Sequence, residues 1–263
     1  MDRRSLTLAV GPFEVDLLEG GAGLPLLYLH GTFGRREEAL LARLAAGGRR
    51  VLAPCHPGYG GTTGDERLDD LHDLVYYYLD LLDQLDLRDL ALVGHGLGGM
   101  FAAELAAVQP QRFARLILLA PLGLWDPDRP VLDFFAAEPS ELAAALYHDP
   151  TSPAARAATE PPAPESDGFV DYMLDRAKAM ATAAKYLWPI PNRGLSRRLH
   201  RVTMPTLLLW GESDRLCPPS YGDAFQAALP TAELVTVPAA GHMLPQEQPA
   251  AVANLITRFV GRS

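Results

Sequence analysis

The stretch Leu90-Ala91-Leu92-Val93-Gly94-His95-Gly96-Leu97-Gly98-Gly99-Met100 constrains the fold of this chain more than any other. Four apolar residues in a row read as a buried strand. They run into a glycine-rich turn, and residues 97–108 are apolar and alanine-rich, which predicts a helix. A buried strand feeding a helix through so tight a turn is half of a strand–helix–strand unit. Units of that kind build parallel sheets covered by helices on both faces.

The same alternation runs along the chain. Residues 6–10 and 15–18 are expected as a hairpin about Gly11-Pro12. Residues 26–29 form a compact apolar run, 37–46 have helical spacing and stop at Gly47-Gly48, and 51–54 are the next short strand. Residues 71–85 carry Leu71, Leu74, Val75, Tyr78, Leu82 and Leu85 on one helical face, and 116–119 are a further buried strand. From Pro121 to about Arg201 no strand-like run occurs, only short helical patterns cut by prolines, the longest over 169–186. Strand logic resumes at 206–210 and 233–237, with helices at 221–228 and 250–260. The expected organisation is an α/β core in two parts, 1–120 and 202–263, with a helical insertion over 121–201.

A chain of 263 residues can bury the core this requires. The net charge is −9 and basic residues occur only in short pairs such as Arg49-Arg50, so neither nucleic acid nor an anionic membrane is an expected partner. The apolar run after Arg3-Arg4 is broken by Pro12, Glu14 and Asp16. Nowhere do about 18 apolar residues run together, so neither a signal peptide nor a membrane span is expected. Two cysteines, Cys55 and Cys217, make no disulfide framework and fit a reducing compartment. The expectation is a soluble, cytoplasmic protein.

Short loops at the carboxyl ends of strands are where open α/β sheets place their sites. Four such loops carry chemistry: 30–34, 94–99, 210–216 and 241–249. The strand–turn–helix at 90–100 is the setting of a nucleophile elbow, G-x-S-x-G. Gly94 and Gly98 hold its glycine positions, and Gly96 stands where the serine belongs. The 30–34 turn can aim the backbone N–H groups of Thr32 and Phe33 at a developing oxyanion, together with that of Leu97. The third loop delivers Asp214 and the fourth His242, and the order elbow, acid, histidine is that of a triad.

On these residues the sequence resembles the capped α/β-hydrolases related to meta-cleavage-product C–C hydrolases, small esterases and lactonases. The family's HG, HPGxG, GHSxGG, WGxxDxxxP and GHxxxxExP patterns match 30–31, 56–60, 94–99, 210–218 and 241–249, with one departure, Gly96. The resemblance covers nearly the whole chain. It implies an α/β-hydrolase fold, a mostly parallel eight-stranded sheet with helices on both faces and an inserted helical cap. It also implies that Asp214 orients His242, and that no cofactor takes part.

Each residue has a plainer reading. His242 is then a loop histidine bonded to backbone, Asp214 caps its own loop, and Glu212 is solvated. His95 packs under the turn and His30 holds its loop, although His30, Trp125, Phe134 and Trp188 are also candidates to line a substrate pocket. Cys55 reads as a buried structural thiol, and of Tyr76-Tyr77-Tyr78 one ring is expected inside. His56, His72, His148 and His200 lack metal-ligand spacing, so no metal is expected. Three functions stay open: a hydrolase of small apolar acyl or carbonyl compounds that has lost its serine, a general-base enzyme needing no nucleophile, and a small-ligand binder. A homodimer also stays open.

Overall fold

The computed structural model describes residues 1–188, 190 and 193–262. Strands β1 (Asp2–Thr7), β2 (Glu14–Gly20), β3 (Leu24–Leu29), β4 (Arg49–Pro54), β5 (Leu90–His95), β6 (Phe113–Leu119), β7 (Thr206–Gly211) and β8 (Ala232–Val237) make one sheet. Its order is β1-β2-β4-β3-β5-β6-β7-β8. The pairs β1–β2 and β2–β4 are antiparallel, and every later pair is parallel. The helices are α1 (Glu38–Ala46), α2 (Leu71–Gln84), α3 (Gly96–Val108), α4 (Pro139–Leu146), α5 (Pro153–Thr159), α6 (Phe169–Leu187), α7 (Ser220–Ala228), α8 (Leu244–Glu247) and α9 (Pro249–Val260). Among the described residues no helix is long and apolar enough to cross a membrane.

The middle of the sheet follows from its apolar runs. Every residue of β5 is buried, and so is α3 through Ala107, so strand and helix fold back on each other inside the protein. Glycine makes that return feasible. A Cβ on Gly94 would strike the Gly98 carbonyl, and one on Gly98 would strike the carbonyl oxygens of Leu29 and His30. The elbow helix therefore sits directly on the end of β3, its Gly98 N–H donating to the His30 carbonyl at 3.1 Å.

Two expectations are corrected at the sheet's edge. The first strand is Asp2–Thr7 rather than 6–10, and Val10 is exposed. Charged pairs across the hairpin hold it instead of apolar alternation: Arg3 to Asp16, Arg4 to Glu19, and the Ser5 and Thr7 hydroxyls to Glu14. Of the three consecutive tyrosines two are buried, Tyr77 and Tyr78, and only Tyr76 is exposed. Phe13 at the hairpin turn lies 4.9 Å from the Tyr77 ring and widens the covered face of α2.

β6 and β7 are neighbours in the sheet, yet the chain between them runs through α4, α5 and α6, with no strand among the described residues. The far end of α4 comes back to the core. Met243 N–H donates to the Leu146 carbonyl at 3.0 Å and Arg215 N–H to that of Ala145 at 3.2 Å. The Tyr147 hydroxyl reaches Gln246 at 2.9 Å. The loops carrying Asp214 and His242 are thus clamped from outside by the inserted segment.

Candidate active site

Gly96 opens α3 with φ +51°, a left-handed conformation that glycine adopts freely and other residues only under strain. Its missing side chain would point at His242. A Cβ there would lie 3.0 Å from His242 Nε2, 3.7 Å from Cε1 and 3.9 Å from Gly31 Cα. The 30–34 turn and the elbow therefore meet over one small volume. The Leu97 amide lies in the first turn of α3, where helix amides have no intrahelical acceptor and the dipole favours negative charge.

His242 and Asp214 are both buried. His242 Nδ1 donates to Asp214 Oδ2 at 2.9 Å. The other carboxylate oxygen accepts the amides of Leu216 at 3.0 Å and Cys217 at 2.8 Å. Three donors hold the carboxylate in place. With Nδ1–H committed to Asp214, Nε2 is the basic nitrogen, and it faces Gly96.

A second buried pair stands behind the first. His95 Nε2 donates to the His242 carbonyl at 2.9 Å, and His95 Nδ1 lies 3.2 Å from Glu37 Oε1. The Arg36 amide donates to the other Glu37 oxygen at 2.9 Å. A Cβ on Gly31 would sit 2.8 Å from His95 Nδ1, so the HG turn needs glycine to make room for that ring. Glu37 escaped the sequence reading: in Arg35-Arg36-Glu37-Glu38 it resembles any solvated helix start, and nothing marks it as buried.

Residues 26–255 match the alpha/beta hydrolase family. The chain belongs to that family. It is 30% identical over 251 residues to the dihydrolipoyllysine-residue acetyltransferase component of the acetoin cleaving system of Pseudomonas putida, covering 92% of this chain but only 65% of that relative's length. It is 27% identical to the 2-hydroxy-6-oxononadienedioate/2-hydroxy-6-oxononatrienedioate hydrolase of Cupriavidus pinatubonensis, with 95% of this chain and 91% of the relative covered. Among solved structures, the bromoperoxidase of Bacillus anthracis superposes with a TM-score of 0.77 at 20% identity, covering 99% of this chain and 100% of that one.

Within this alpha/beta hydrolase the other sequence candidates part company. His30 is fully enclosed: its Nδ1 donates to the Gly31 carbonyl at 2.7 Å and its Nε2 accepts the His56 amide at 3.0 Å. Both ring nitrogens are used in holding the turn. Phe134 is buried against Phe33, ring centres 6.2 Å apart, and is followed by Phe135 at 4.5 Å. Trp188 lies half-exposed against Phe135 at 5.6 Å. These rings form a row from the 30–34 turn to the surface. Trp125 stands apart from it, beside Tyr221 and Ser196 in a separate depression. A cavity of about 340 Å³ lies between the 33–36 turn, Cys55–Gly60 and α6, and neither Gly96 nor His242 lines it. Cys55 borders that cavity with its thiol donating to Asp16 Oδ2 at 3.4 Å, and burial pushes it up to about 12, so it is no nucleophile.

Proposed function

We propose that this alpha/beta hydrolase carries a serine-hydrolase site without its nucleophile, shaped for a small apolar acyl or carbonyl compound: an ester, a lactone or a C–C bond next to a carbonyl. One observation carries the reading. The side-chain position of residue 96 opens onto the basic nitrogen of an oriented Asp214–His242 pair, 3.0 Å away. A serine hydroxyl there would give its proton to Nε2 and attack a carbonyl held by the amides of Thr32, Phe33 and Leu97. Gly96 has no oxygen to offer. In subtilisin, loss of the serine costs about 10⁶ in kcat. The Cupriavidus relative's name, a hydrolase of an oxo-dienedioate, supports a carbonyl-bearing substrate class.

The test is Gly96→Ser assayed on short p-nitrophenyl esters. A gain of about 10³-fold or more with a pre-steady-state burst is expected. The serine must hold the left-handed φ, and the His242 ring must retreat a few tenths of an ångström, which a side-chain tip can do. A folded Gly96→Ser protein with no gain on esters, lactones or vinylogous diketones would refute the lost-serine reading.

A second reading has its own support. Apart from two atoms of the His242 ring, no described residue outside the backbone of α3 and the chain neighbours of Gly96 comes nearer than 3.9 Å to its side-chain position. His242 Nε2 is thereby left without a hydrogen-bond partner among the described residues, and it would act as general base on a bound water or on the substrate. His242→Ala in the otherwise unchanged chain decides it. A residual activity that survives this substitution rules out base catalysis.

A further inference from the structure

Helix α6 has two apolar faces, and only one of them is used. Ala179, Thr182, Ala183, Tyr186 and Leu187 are buried toward the core. On the opposite side, at steps of three, four and seven residues, stand Val170, Met173, Leu174, Ala177 and Ala181. Val170 is 62% exposed, Leu174 53% and Met173 44%. The other exposed large apolar residues among those described, Trp188 excepted, are scattered singly: Met1, Val10, Leu24, Tyr76 and Val108. A continuous apolar stripe on the solvent side of one helix is what a covered surface leaves behind.

The stripe itself indicates its cover. Its bulk is graded, with Val170, Met173 and Leu174 in the first half and Ala177, Ala181 and Ala184 in the second. Two copies laid antiparallel set large residues against small ones. In the register that puts Leu174 against Ala177 of the second copy, Val170 meets Ala181 of the second copy. Charge agrees with bulk in that same register. Asp171 and Lys178 lie exposed on one flank of α6, and their side chains make no ion pair or hydrogen bond among the described residues. Under a two-fold axis like flanks meet, so Asp171 comes beside Lys178 of the second copy. The chain's net charge of −9 argues against the alternative of an anionic membrane.

We propose that the outer face of α6 is a homodimer surface, two copies pairing through antiparallel α6 helices about a two-fold axis. One helix pair is a small interface, so a dissociation constant in the micromolar range, roughly 1–100 µM, is expected.

Sedimentation equilibrium on the full chain, from about one to several hundred micromolar, tests this. Reversible monomer–dimer exchange is expected, with Leu174→Glu weakening it at least tenfold. Asp171→Lys and Lys178→Asp should each weaken the dimer, and the double exchange D171K/K178D should restore it, because each new lysine again faces a new aspartate. All four variants alter exposed side chains, and circular dichroism confirms that they fold. A monomer at every concentration, a dimer indifferent to Leu174→Glu, or a double exchange that fails to restore pairing would overturn the proposal. So would a monomer that floats with phosphatidylcholine vesicles, since the stripe would then serve a lipid surface.

Discussion

Asp214 uses its two oxygens for different tasks, one bound by the amides of Leu216 and Cys217 and the other by His242. Asp214→Asn keeps an oxygen for the amides but presents an N–H₂ group to His242. His242 Nδ1 must then accept, Nε2 carries the proton, and the base is lost. Introduced into Gly96→Ser, Asp214→Asn should cut esterase turnover by about 10³–10⁴ while the thermal midpoint moves only a few degrees. Turnover that survives would mean that the tautomer does not matter. The elbow glycines separate in the same manner. A methyl at Gly96 meets only the movable tip of His242 and pays for a left-handed φ, about 1–3 kcal/mol. A methyl at Gly98 runs into two backbone carbonyls that cannot retreat. Gly96→Ala should therefore purify as a folded, destabilised protein, whereas Gly98→Ala should fail to accumulate in soluble form.

Among the elements, β5 and α3 were legible because periodicity and burial agree: an apolar run too short for a helix, then glycines, then an alanine-rich stretch. The loops bearing Asp214 and His242 were legible through residue order and spacing. β1 was misplaced because an edge strand held by arginine–carboxylate pairs has no apolar alternation to read. The Glu37–His95 pair was invisible because burial of a charged residue depends on what folds over it. The same holds for Glu104 in the middle of α3. Arg198, on the return from the inserted segment, binds its carboxylate with two bonds, 2.7 Å and 2.5 Å, and thereby ties the elbow helix to that segment. Arg198→Met would leave the buried carboxylate unpaired. The Arg198 side chain is 38% exposed, so water recovers part of the loss, and about 2–3 kcal/mol of stability should disappear in urea unfolding. Glu104→Gln, which keeps a hydrogen bond without the buried charge, should cost less.

For the whole molecule, acid should act first through two histidines beneath the 30–34 turn. His56 Nε2 donates to the His30 carbonyl at 2.8 Å, so its Nδ1 accepts from the Tyr78 hydroxyl. His30 Nε2 accepts the His56 amide, so its proton sits on Nδ1. Both rings are neutral, with no room for a second proton that keeps these bonds. Burial lowers His56 from the ordinary 6.5 to about 4, and burial with the neighbouring His56 lowers His30 well below its ordinary value. The unfolded chain therefore binds more protons than the folded one below about pH 6.5, and stability rises with pH. The contribution is fully present above the unfolded value and is lost as pH falls toward 4, on the order of 3 kcal/mol from His56 alone. Asp16 follows lower down: burial raises it, but Arg3 and Arg35 outweigh burial and hold it below the usual carboxylate range. Its contribution is lost only below about pH 4. Between pH 7 and pH 5 the thermal midpoint should thus fall through the histidines. His56→Gln should start lower, because the Tyr78 and His30 bonds are weakened, and fall less steeply. A flat midpoint in the unchanged chain over that range would show that these rings are not held neutral. The bonds lost on protonation are those that hold the His30 turn against the elbow, so Gly96→Ser esterase activity should decline over the same interval in which the fold loosens.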